Sequence, residues 1–91
     1  MSTHLTKEKI NYLTAKLQEE AAEVIQAVSK IRRFGEHNSH PERTTTNLQE
    51  LVNEIEDFLA ILAALEQHKY FDLTLSQSNI RNKAIELLKS T

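Results

Sequence analysis

The segment Thr46–Leu65, TNLQELVNEIEDFLAILAAL, decides the fold. Leu48, Leu51, Val52, Ile55, Phe58, Leu59, Leu62 and Leu65 recur three or four positions apart, a spacing that gathers side chains on one broad apolar face of an α-helix. Thr46 with Gln49, or Asn47 with Glu50, has the spacing of a capping box, in which side chains satisfy N–H groups that the first turn leaves unpaired. A helix is therefore predicted from Thr46 or Asn47 onward. At about 100° per residue, Glu50, Glu54 and Asp57 share one flank within an arc of about 60°, while Glu56 points elsewhere.

Upstream, the same periodicity predicts a first helix from an N-cap at Thr6, with Glu8 in its first turn, to Arg33, with Gly35 supplying a left-handed stop. Its apolar seam is Ile10, Leu13, Leu17, Val24, Val28 and Ile31. Glu20 lies on the edge of that seam, roughly 60° from Leu17 and about 40° from Val24, and Glu19, Glu20, Glu23 and Lys30 fit within about 100°. A shorter third helix is expected from about Ser76 to Lys89, with Ile80, Ala84, Leu87 and Leu88 as its apolar side and Arg81 and Lys83 available to an anion. The polar stretch from Gly35 to Thr45 reads equally as a mobile lid or a long turn.

Composition agrees. One Gly, one Pro and no Trp in 91 residues, with abundant Ala, Leu, Glu, Gln and Lys, favour helix throughout, because these side chains lose little rotamer freedom there. The expected fold is all-α: an antiparallel helical hairpin plus a shorter C-terminal helix, in one domain over residues 1–91. A chain this short buries only somewhat more than roughly 60% of its unfolded surface, so a sequence rich in Leu, Ile and Val gains by pairing with a copy of itself. With no cysteine there is no disulfide framework and no thiolate metal site. Met1–Lys9 has no apolar run of signal-peptide length, and no stretch approaches the roughly 20 apolar residues of a membrane span, so a cytoplasmic protein without membrane partners is expected. A net charge of −2 argues against a general affinity for nucleic acid, which needs a basic face to displace counterions.

The chemistry lies in the acids. Glu19, Glu20 and Glu23 on one helix, and Glu54 and Asp57 on the other, are spaced to share helix faces beside the apolar stripes. An acidic helix face alone is ordinarily a solvated surface. Two such faces brought together by the seams make a negative pocket, in which like charges about 6 Å apart repel by roughly 3 kcal/mol at an effective dielectric near 20. Mg²⁺ relieves that repulsion: it takes oxygen ligands, keeps several waters, and commonly bridges carboxylates to phosphates. A pocket so neutralised accepts a triphosphate, and a water held there becomes a nucleophile.

Glu-Glu-x-x-Glu at Glu19, Glu20 and Glu23, followed by Glu-x-x-Asp at Glu54 and Asp57, resembles the signature of the MazG-like, all-alpha nucleoside triphosphate pyrophosphohydrolases. Ser29–Gly35, SKIRRFG, resembles the segment that ends the first helix in small, phage-type members, and the likeness spans roughly Lys16 to Leu65. The resemblance implies hydrolysis of a (d)NTP between its α and β phosphates to (d)NMP and pyrophosphate, with Mg²⁺ as cofactor and Mn²⁺ as a substitute. It implies Glu20, Glu23, Glu54 and Asp57 as metal ligands, and Glu19 as a further ligand or as an orienter of the attacking water, which makes Glu19 and Glu20 the candidate catalytic residues. Lys30 and Arg33 are candidate phosphate contacts, and Lys83 resembles a late lysine of the phage-type members. The family builds four-helix bundles from two or four subunits, so a homodimer or homotetramer is implied. The gap between the two motifs is longer here than is usual, owing to the polar loop.

Three other readings compete. Phosphoribosyl-ATP pyrophosphohydrolases follow the second motif with a Tyr-His pair, where this chain has Phe58-Leu59-Ala60-Ile61. A di-iron carboxylate bundle needs Glu-x-x-His, and no Glu here has a His three residues later. A non-catalytic helical dimerisation module would carry the same acids as surface decoration. His37 and His40 have a spacing seen in zinc sites, although a loop pair without further ligands is usually unremarkable. Tyr12 and Phe34, near the acidic flank, read first as ordinary packing residues and only second as candidates to stack on a base.

Overall fold

The computed structural model describes residues 6–39, 41–73 and 76–90. These form α1 (Lys7–Phe34), α2 (Asn47–Gln67) and α3 (Ser76–Lys89), and there is no strand among the described residues. Thr6 caps α1 as expected, its hydroxyl accepting the Lys9 N–H at 3.2 Å. The helix runs one residue past Arg33, and Gly35 ends it with φ 92° and ψ 161° while donating its N–H to the Ile31 carbonyl at 2.7 Å. The stop is thus not left-handed helical. It lies in a positive-φ extended region open essentially to glycine alone. A Cβ built at Gly35 would meet nothing within 4 Å, so the requirement is torsional rather than steric.

At α2, the Thr46/Gln49 pair forms the capping box. The Thr46 hydroxyl accepts the Gln49 N–H at 3.2 Å, and the Gln49 side-chain oxygen accepts the Thr46 N–H at 2.7 Å. The far end closes by bonds from the Lys69 N–H to the Glu66 carbonyl and from the Tyr70 N–H to the Leu65 carbonyl, with Lys69 at φ 68° in the position glycine usually takes.

α1 and α2 pack as an antiparallel hairpin; α3 packs on neither among the described residues. The enclosed residues are Ala27 and Leu65. Val28, assigned above to the seam of α1, is instead 40% exposed, and its neighbour Ala27 faces α2. The broad apolar face of α2 likewise divides. Leu51, Phe58, Ile61, Leu62 and Leu65 are buried or half-buried, whereas Leu48, Val52, Ile55 and Leu59 form a second stripe that stays exposed.

That stripe, together with α3, leaves the monomer with too much surface. Its accessible area is 7602 Å², against about 5400 Å² for an ordinary folded chain of 10.5 kDa. The radius of gyration is 16.4 Å where about 12 Å is usual at this length. No described helix is long and apolar enough to cross a membrane.

Candidate metal and anion site

The antiparallel pairing brings the two acidic flanks together. Carboxylate oxygens of Glu20, Glu54 and Asp57 all lie within 4.8 Å of one another. Glu20 and Glu54 are half-buried, because each stands at the edge of the packed interface, and Asp57 opens to solvent. Loss of water contact, then repulsion from Glu23, Glu20 and Asp57, and a hydrogen bond to Glu20 together raise the Glu54 carboxyl above its ordinary pKa of 4.5. Oε2 of Glu20 is buried with no hydrogen-bond partner. A buried acceptor left unpaired is costly, and carboxylate oxygens gathered within 4.8 Å offer the hard oxygen donors that a divalent cation such as Mg²⁺ takes.

The other sequence candidates divide. Glu23 lies beside the cluster, lining with Glu54, Glu50 and Lys30 a small polar hollow of about 90 Å³. Glu19 is turned away from the cluster: its exposed carboxylate meets the Lys16 ammonium at 3.4 Å and holds that ammonium above its usual pKa range. The Arg33 guanidinium lies over the Phe34 ring, 5.0 Å from its centroid. Lys83 is on α3, which among the described residues packs on neither α1 nor α2, so a single chain does not bring it to the acids. A hollow of about 560 Å³ beside Asn82, Lys83 and Glu86 is an open face of α3 alone and includes none of the clustered acids. Tyr12 is 61% exposed, with the Lys16 ammonium 6.0 Å from its ring centroid. His37 is exposed and joins no acid cluster among the described residues, and His40 lies outside them, as do Met1–Leu5.

Arg43 is a site residue that helical periodicity does not single out. It lines the polar hollow, and its guanidinium pairs with Glu50 at 3.7 Å, while the Thr45 hydroxyl donates to the same carboxylate oxygen. Residues 36–38 of the loop are tied to the start of α2. The Asn47 N–H donates to the Asn38 carbonyl at 2.8 Å, the Leu48 N–H to the Glu36 carbonyl at 2.9 Å, and Asn47 Nδ2 to the Gly35 carbonyl at 3.1 Å. The sequence holds a faint signal for it: Arg43 is the sole Lys or Arg between Gly35 and Thr46.

From one end to the other, the cleft therefore runs from clustered carboxylates to two cations, Lys30 and Arg43. No protein-family model, curated protein or solved structure matches the chain.

Proposed function

We propose that the chain is a Mg²⁺-dependent nucleoside triphosphate pyrophosphohydrolase of the cytoplasm, cleaving a (d)NTP between its α and β phosphates. The observation that carries this reading is the meeting of Glu20, Glu54 and Asp57 within 4.8 Å, with one Glu20 oxygen buried and unpartnered. Bound there, Mg²⁺, or Mn²⁺ in its place, neutralises the acids and polarises phosphoryl oxygens. Glu20, Glu54 and Asp57 would hold the ion, with Glu23 beside them. Glu20, at the seam edge, would also orient the attacking water and accept its proton. Lys30 offsets phosphate charge at the other end of the cleft. Glu19 and Arg33 make other contacts in the monomer, so their parts in the reaction are secondary.

The working form is a homodimer or homotetramer in which a second hairpin covers the exposed stripe of α2. The surplus of roughly 2200 Å² over an ordinary monomer falls in the range of obligate interfaces. Such a partner is also the route by which Lys83 would reach an active site.

Release of pyrophosphate from a panel of canonical and modified nucleoside triphosphates tests the reading. Wild type should release it only with Mg²⁺ or Mn²⁺, and Glu54→Gln should lose at least about 100-fold while keeping its helical circular dichroism. No release from any nucleotide would overturn it.

A further inference from the structure

Beyond the polar hollow, on the loop side, lies a second hollow of about 260 Å³ that the acids do not reach. Its walls are the Phe34 ring, Pro41, Asn38 and Ser39, and it shares Lys30, Arg43 and Asn47 with the polar hollow. The two are thus adjoining compartments with the cations at their junction. We propose that the loop-side hollow receives the base and sugar of the nucleotide, that Phe34 is its stacking surface, and that Arg43 with Lys30 grips the phosphate where the compartments meet. The proposal rests on the pyrophosphohydrolase reading and extends it to the way the substrate lies.

Three features decide the assignment. First, an aromatic ring and a proline ring make flat apolar walls, which suit a π-face and offer little to a polyphosphate tail. Phe34 is 54% exposed at the helix end, with the Arg33 guanidinium over its ring, so it is held in place yet open to a ligand. Second, the polar groups on the walls are directional. The Asn38 side-chain oxygen is taken by the Ser39 N–H at 2.9 Å, which turns its amide nitrogen into the remaining donor, and Ser39 adds a hydroxyl. Third, the order along the cleft is acids, cations, then rings, so a nucleotide with its scissile bond at the acids lays its α-phosphate against the cations and its base against the rings. Arg43 pairs with Glu50, whose same oxygen accepts the Thr45 hydroxyl, so the guanidinium is tied to the α2 scaffold although it comes from the loop.

The experiment compares wild type, Phe34→Ala, Phe34→Leu and Arg43→Ala as full chains, measuring KM for nucleoside triphosphates and the inhibition constant of inorganic tripolyphosphate, which has no base or sugar. Loss of stacking should raise KM about tenfold in both Phe34 variants and leave tripolyphosphate inhibition within about twofold, whereas Arg43→Ala should weaken both. Phe34→Leu keeps the bulk of the side chain, so it remains informative if Phe34→Ala misfolds. An unchanged KM in Phe34→Leu, an equal loss of tripolyphosphate inhibition, or a change of oligomeric mass in place of a KM effect would overturn the subsite and leave the hydrolase reading standing. Nuclear magnetic resonance titration with a nucleoside monophosphate separates the two claims. Shifts at Phe34 and Ser39 in a chain that hydrolyses nothing would refute the hydrolase reading and keep the subsite, and no shifts at either residue would refute the subsite.

Discussion

The two flanks of α2 are opposites in chemistry and alike in need. One carries Glu50, Glu54 and Asp57; the other carries Leu48, Val52, Ile55 and Leu59, exposed by 38 to 54%. Between them runs the stripe that packs on α1. Each flank is costly as it stands, the first through crowded negative charge and the second through apolar area left in water. A cation relieves the first and a protein surface the second. On the proposed reading such a helix is completed twice, by an ion on one side and by another hairpin on the other.

The largest effect is expected from breaking the apolar flank. Leu59→Lys places a charge in the stripe, and burying that side chain in an assembly contributes about 1.5–3 kcal/mol per subunit before the added charge is counted. Light scattering should show the variant shifted to monomer, with a lower melting temperature, while the acids of each hairpin stay in register. An unchanged mass would mean that this stripe is not the interface.

The acidic flank can be probed by pH without metal. The Glu54 pKa is higher in the folded chain than its ordinary 4.5, so folding favours the protonated form. That stabilisation is complete below about 4.5 and is lost as pH rises through the raised folded value. Thermal melts in chelator should therefore show the melting temperature falling as pH rises above about 4.5, and Glu54→Gln, which mimics the neutral form, should flatten that part of the profile and be more stable at neutral pH. Identical profiles for both proteins would show that the acids do not crowd one another.

A smaller effect separates the loop from both flanks. Gly35→Ala adds no clash, yet φ 92° with ψ 161° is strained for any side chain, so a loss of about 1–3 kcal/mol is expected in chemical denaturation. Pairing of the acids in the middle of the hairpin should survive, whereas the tie of residues 36–38 to α2, and with it the seat of Arg43, should loosen.

Much of this is legible in the amino-acid sequence. Helix type and extent follow from apolar spacing, the start of α2 from Thr46 and Gln49, and the convergence of Glu20 with Glu54 and Asp57 from their places beside the stripes. What periodicity does not settle are choices between neighbours. Ala27 and Val28 differ by only about 100° in azimuth, and the one that is buried is the smaller. The apolar face of α2 is wide enough to serve two partners, and a single sequence does not say which half faces α1. Glu19 and Glu20 are adjacent acids about 100° apart in azimuth, and the packing of α2 on the Glu20 side leaves Glu19 exposed, where it meets Lys16. Arg43 is hidden for a different reason: loop residues have no period, and the closure of the hairpin alone carries it to Glu50. The apolar side of α3 is plain as a pattern, yet Ile80, Leu87 and Leu88 are 63 to 72% exposed, since a pattern does not name the surface it will meet.

Electron paramagnetic resonance of Mn²⁺ titrated into the full chain tests the convergence of acids most directly. The free-ion signal should be lost on binding to wild type and recovered in competition with Mg²⁺, and it should persist with Glu54→Gln, whose fold is retained. Equal binding by both proteins, or binding by neither, would contradict it.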